Sequence, residues 1–156
     1  MKLTSYKFAS LILLLGGSFS GMISSAIRAE PTLEDLLLPG MNMGMKGDYQ
    51  GAIAEFTDVI NQYPEAAAEA YYNRGIARNR AGDWTGAIAD YNYSLSLNPN
   101  FAEVYVERGL LRFQWGDKTS ALKDLEKAAQ LFIEQENPTA YHLTQEHIKS
   151  LYYQPR

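Results

Sequence analysis

Four arginines are the residues of this chain best placed to do chemistry. Arg74 and Arg78 stand one helical turn apart, and Arg108 and Arg112 repeat that pair 34 residues later. A ladder of guanidinium groups can hold a carboxylate or phosphate ligand through paired hydrogen bonds. It can equally be neutralised inside the fold by carboxylates of its own. Asp90 and Asp124 recur at the same interval as the arginines. Because both kinds of partner repeat together, internal pairing is the expectation, each arginine with the aspartate of its own segment.

Little else in the chain has catalytic spacing. His142 and His147 stand five apart and do not share a helix face, so contacts with solvent or with the end of the fold are expected rather than a metal. With no cysteine, disulfide frameworks, thiolate metal sites and thiol nucleophiles are excluded. No nucleophile–base pair, glycine-rich phosphate loop or acidic cluster at metal-ligand spacing is present. The expectation is a protein that is not an enzyme and takes no cofactor and no metal.

The elements that must position these residues follow from the same interval. Ala68 to Phe101 and Ala102 to Gln135 share twelve identities at an offset of 34. They include Tyr71/Tyr105, Gly75/Gly109, Gly82/Gly116, Asp83/Asp117 and Ala87/Ala121. A weaker copy precedes them. Gly47, Asp48, Gly51, Ala52 and Pro64 return 35 residues later as Gly82, Asp83, Gly86, Ala87 and Pro99. The extra residue falls between Pro64 and Tyr71, in a loop where insertion is cheap. Self-similarity at this period marks an array of helical units.

Each unit reads as two helices. In the middle unit the first covers about 68–80, ended by Gly82 with Asp83 as the next N-cap. The second covers about 84–97, with Ala87, Ile88, Tyr91, Ser94 and Leu95 as its apolar stripe. The third unit has Ile133 where the middle one has its terminal proline, so its second helix is expected to run to about Gln135. Asn137-Pro138 opens a last helix to about Tyr152. Its expected buried side is Tyr141, Ile148, Leu151 and Tyr152, and it caps the exposed end of the stack. Pro39 should start, or kink, the first helix of the first unit, and Met41, Met43 and Met45 make that helix adaptable.

These residues resemble the tetratricopeptide repeat family. The middle unit supplies Tyr71, Gly75, Gly82, Trp84, Ala87, Tyr91, Ser94 and Pro99 of its pattern. The third supplies Tyr105, Gly109, Gly116, Ala121, Leu125 and Ala128, with Lys118 at an aromatic site. The first supplies Gly40, Gly47, Tyr49, Ala52, Phe56 and Pro64, but has Leu36 at an aromatic site and Val59 at a small one. The resemblance implies an all-α solenoid with repeats at 33–66, 68–101 and 102–135 and a capping helix at 137–153.

It also implies peptide binding along the concave face lined by the first helices. By register that groove takes Glu69, Tyr72, Asn73, Ile76, Asn79 and Arg80 from the middle unit. Glu103, Val106, Glu107, Leu110, Phe113 and Gln114 come from the third. Some members hold a carboxylate tail with lysine, arginine and asparagine there. Here only Asn73 matches, while Leu37, Met41, Glu103 and Glu107 replace the rest. An acidic tail would be repelled, so a neutral or basic protein or peptide segment is expected.

The N-terminus reads as a secretory signal over 1–29. Lys2 and Lys7 precede an uncharged run from Phe8 to Ile27, with small residues at two cleavage points, after Ala26 or Ala29. The alternative is an uncleaved membrane anchor, the one expected route to a membrane. Removal of Lys2, Lys7 and Arg28 with the signal leaves 11 basic residues against 18 acidic, a net charge of −7. That disfavours nucleic acid and anionic membrane surfaces. The expectation is an exported adaptor serving assembly or stability of a protein complex. The periplasm fits, as does a thylakoid lumen if the source is photosynthetic. A scaffold docking through its convex face or self-associating, and an accessory subunit of an envelope enzyme complex, remain alternatives.

Overall fold

The computed structural model describes residues 30–153, and the expected signal at 1–29 lies outside them. Every element longer than a single turn is an α-helix among the described residues. In order they are α1 (Leu33–Met45), α2 (Tyr49–Gln62), α3 (Ala67–Arg80), α4 (Trp84–Leu97), α5 (Ala102–Gln114), α6 (Lys118–Glu134) and α7 (Pro138–Tyr152). A 3-10 turn at Pro64–Ala66 carries the extra residue of the first unit. Helices pack chiefly on their sequence neighbours, and α1, α3 and α5 also touch in series. This is an all-α solenoid of three helical hairpins closed by α7.

One turn chemistry makes each hairpin. Gly47, Gly82 and Gly116 have φ of 82°, 85° and 88°, a left-handed conformation that glycine adopts without steric cost. The aspartate after each caps the next helix, and its carboxylate accepts from the backbone N–H of Gly51, Gly86 or Ser120 at 2.9–3.0 Å. Within a hairpin the helices meet at a glycine. A Cβ on Gly40 would stand 2.7 Å from the Phe56 ring, and one on Gly75 2.6 Å from the Tyr91 ring. Ala52, Ala87 and Ala121, all fully buried, complete these crossings.

The seams between hairpins are filled by side chains the stripes supply. Leu37, Phe56, Val59, Ala66, Ala70 and Ala77 form one cluster. Tyr91, Leu95, Val104 and Leu111 form the next. On the outer side Tyr71 stacks on Tyr93 at 5.3 Å between ring centres. Trp84, opening α4, meets Trp115, closing α5, edge to face at 6.4 Å.

Two expectations need correction. The first helix begins at Leu33, well before Pro39, because Thr32 and Asp35 form a reciprocal capping box that starts it there. Pro39 lies inside the helix on its exposed side. On α7, Tyr152 is 60% exposed rather than buried. Leu151 takes the buried place against Ala121 and Leu125, and one further residue, about 100° around the helix, turns Tyr152 outward beneath the Lys118 ammonium. Thr144, wholly buried, joins Leu151 on the packed side. The third unit's second helix does outrun the others, to Glu134, and Glu136 at φ 54° breaks it. Among the described residues no helix is long and apolar enough to cross a membrane.

Candidate functional site

The arginine ladder is consumed by the fold. Arg74 clasps Asp90 with two hydrogen bonds of 2.8 and 2.9 Å, and Arg78 adds a third contact at 3.0 Å. The third unit repeats this, Arg108 at 2.7 and 2.9 Å and Arg112 at 2.7 Å on Asp124. Both aspartates are buried. Three charge-assisted bonds satisfy Asp124, whereas Asp90 accepts two from Arg74 and is ion-paired to Arg78, which itself donates to the Gly86 carbonyl at 3.3 Å. The spare nitrogens reach across the seams, from Arg74 to the Thr57 hydroxyl at 2.9 Å and from Arg108 to the Asn92 side-chain oxygen at 2.6 Å. Thr57 and Asn92 stand at equivalent places in successive units. The ladder therefore fixes each hairpin and ties it to the one before.

Among the described residues two concavities open beside the first helices, one on each side of α3. The larger, about 360 Å³, lies between the first two hairpins. Its walls are apolar: Met41, Gly44 and Met45 of α1, Tyr49 and Phe56 of α2, and Ile76 of α3. Asn73 and Arg80 supply polar groups at its α3 side. Met45 is 76% exposed, so the floor is buried while the lip is free. The Asn73 amide is already committed, donating to the Glu69 carbonyl at 2.8 Å.

The smaller concavity, about 180 Å³, lies between α3, α5, α6 and α7. Tyr72, Glu103, Val106 and Glu107 line one side, and Phe132, Leu143, Thr144 and His147 the other. Tyr72 is as much core as groove, since its ring packs on Phe101 at 5.0 Å and Tyr91 at 6.4 Å. Burial there raises its phenol above the usual range, and Glu107 and Glu103 push the same way. The Glu107 carboxyl is also raised, first by its own burial, with Arg80 and His147 partly offsetting the shift. A charged carboxylate at that position is held at a cost.

Of the sequence-predicted groove residues, Asn73, Ile76 and Arg80 meet at the larger concavity, and Tyr72, Glu103, Val106 and Glu107 at the smaller. Glu69, Asn79, Leu110, Phe113 and Gln114 line neither, and Phe113 instead packs partly against the Leu125–Leu151 core. Sequence reasoning missed two contributions. Unit one supplies most of the apolar wall, and α7 closes the far end through Ala140, Leu143, Thr144 and His147. The spacing of Ala140, Thr144 and His147, at i, i+4 and i+7, was the available signal for a shared face. Among the described residues no group of three potential ligands could hold a metal ion.

Models of the tetratricopeptide repeat match residues 36–66, 68–101 and 102–132, together well over half the chain. The chain belongs to the tetratricopeptide repeat family. No curated protein matches it in sequence. Several solved structures share the fold. A TPR2B-domain:pHsp70 complex of yeast Sti1 has a TM-score of 0.72 at 26% identity, covering 79% of this chain and 98% of that one. The first repeat domain of Spaghetti (RPAP3), bound to the HSP90 peptide SRMEEVD, has a TM-score of 0.67 at 23% identity, covering 77% and 92%. The Yersinia enterocolitica type III secretion chaperone SycD, in complex with a peptide of the translocator YopD, has a TM-score of 0.66 at 18% identity, covering 80% and 95%.

Proposed function

We propose that this tetratricopeptide repeat protein is an exported, non-catalytic adaptor that binds an extended partner segment along its concave face. The observation that carries the reading is the pair of concavities, apolar-walled and polar-rimmed, beside the first helices. The peptides carried by the Spaghetti and SycD structures support a peptide-sized occupant. Glu103 and Glu107 against Arg80 give the groove an acidic balance, which favours a neutral or basic segment. Such binding would serve assembly or stability of a protein complex. The signal-like residues 1–29 support action in the periplasm, or in a thylakoid lumen if the source is photosynthetic. If they are not cleaved, they would anchor the protein in a membrane.

Photo-crosslinking in the native compartment tests this without disturbing the core. A photoreactive side chain is placed at Met45 or Leu143, both exposed at the groove, or at Tyr93, exposed on a second helix. The groove reading expects one and the same protein captured from both groove positions. Capture from Tyr93 alone would favour the convex scaffold. Recovery of the chain with the cytosolic fraction would remove the export half of the proposal.

A further inference from the structure

The two concavities differ in what they can hold, and the smaller has the sharper chemistry. The fold neutralises its buried carboxylates fully elsewhere, giving Asp90 and Asp124 two arginines each. Glu107 receives no such treatment. It is half-buried and has no ion-pair or hydrogen-bond partner among the described residues. Arg80 and His147 partly offset the effect of burial on it, and neither bridges to it. Glu103 adds a second carboxylate at the rim. The Tyr91 hydroxyl, behind the Tyr72 ring that lines the pocket and not itself in the lining, is wholly buried and also unpartnered.

Resting on the groove reading above, we propose that this pocket receives the side chain of a lysine or arginine in the partner segment. Two carboxylates repel an anion, and Glu103, Glu107 and His147, although all three line the pocket, do not come together as a group that could hold a metal ion. At about 180 Å³ the pocket suits one extended side chain rather than a folded element. Val106, Phe132, Ala140 and Leu143 would cover an aliphatic stem. The charged head would then lie between Glu107 and the Tyr72 ring, which supply an ion pair and a cation–π contact. The larger, apolar concavity on the other side of α3 would take an aliphatic or aromatic residue of the same segment. The burial that raises Glu107 makes an unpaired charge there costly, so a cation from the partner gains more than it would at an exposed site.

Phage-displayed random peptides, selected on the immobilised chain expressed from its full coding sequence, test this. Selected peptides should be enriched in lysine or arginine together with a large apolar residue. Replacing the basic residue of a selected peptide by alanine should weaken binding about tenfold or more, read by fluorescence anisotropy. The same replacement should have little effect on Glu107→Gln, because the contact is already gone. Glu107→Gln itself should melt no lower than the parent, and Glu103→Gln, at the exposed rim, should lose a smaller part of the preference. Apolar-only selection that depends on Met41 and Met45 would overturn the cation pocket and leave the groove reading standing. Selection of peptides indifferent to both pockets would overturn both. A Glu107→Gln variant that melts lower would show a structural partner for Glu107 and defeat the proposal.

Discussion

Hairpins two and three are locked by charge, whereas hairpin one has no ion pair between its helices among the described residues and is held chiefly by apolar packing. At the places of Arg74, Arg78 and Asp90, the first hairpin has Pro39, Met43 and Glu55. It keeps the glycine-to-aromatic crossing of Gly40 on Phe56 and the Gly47-Asp48 turn, but among the described residues its Glu55 has no ion pair. The same backbone is therefore built in two ways. Locked hairpins have one well-defined arrangement, since two arginines converge on each buried aspartate. A hairpin packed by methionine and leucine can shift its side chains at little cost. The larger concavity lies between the two kinds, with a rigid wall on α3 and an adaptable wall on α1.

The comparison can be broken most forcefully at the aspartates. Asp124→Ala would strand two partly buried arginines, and a loss of about 3–5 kcal/mol is expected in urea unfolding. Glu55→Ala, at the equivalent place in hairpin one, should stay within about 0.5 kcal/mol of the parent. Equal losses at the two sites would erase the distinction between locked and packed hairpins.

Glycines sharpen it at an intermediate scale. Gly75→Ala forces a methyl group to within 2.6 Å of the enclosed Tyr91 ring and should cost about 1–3 kcal/mol. Gly44→Ala meets only the Ala52 methyl, at 3.9 Å, and should gain about 0.4–1 kcal/mol by restricting the unfolded chain. A stiffer α1 that still binds the same range of peptides would show that adaptability of hairpin one is not used in recognition.

The smallest effect is a pH dependence. The folded chain binds the Glu107 proton more tightly than the unfolded chain does. This group's stabilising contribution is thus complete below the ordinary carboxylate range and is lost as pH rises through the raised value. At neutral pH Glu107→Gln should therefore melt slightly higher than the parent, and the gap should narrow as the solution is acidified. Thermal melts of both chains at neutral and mildly acid pH check the sign.

Most of the fold was legible because its signals are local. Glycine-aspartate pairs set the three turns, and helix bounds for α4 and α7 follow from Asp83, Asn98 and Asn137 without tertiary information. The pairing of Arg74 and Arg108 with Asp90 and Asp124 was legible for another reason, that both partners repeat. What escaped was non-local or competing. At the start of α1 the capping box of Thr32 and Asp35 outweighed the penalty of Pro39, although both signals stand in the sequence. The bonds from Arg74 to Thr57 and from Arg108 to Asn92 depend on how one hairpin sits against the next. The site was half legible for the same reason. Register placed Tyr72, Glu103 and Glu107 on the inner face, but the contribution of α7 depends on where Leu151 docks.

The tryptophan pair has a practical consequence. The sequence holds two tryptophans, Trp84 and Trp115, and they meet across the seam between the second and third hairpins at 6.4 Å. At that separation their indole transitions couple, so the chain carries an intrinsic chromophore pair whose near-ultraviolet dichroism reads the registry of one seam. Loss of that couplet while helical signal persists would report hairpins that remain folded but have slipped apart, with no label attached.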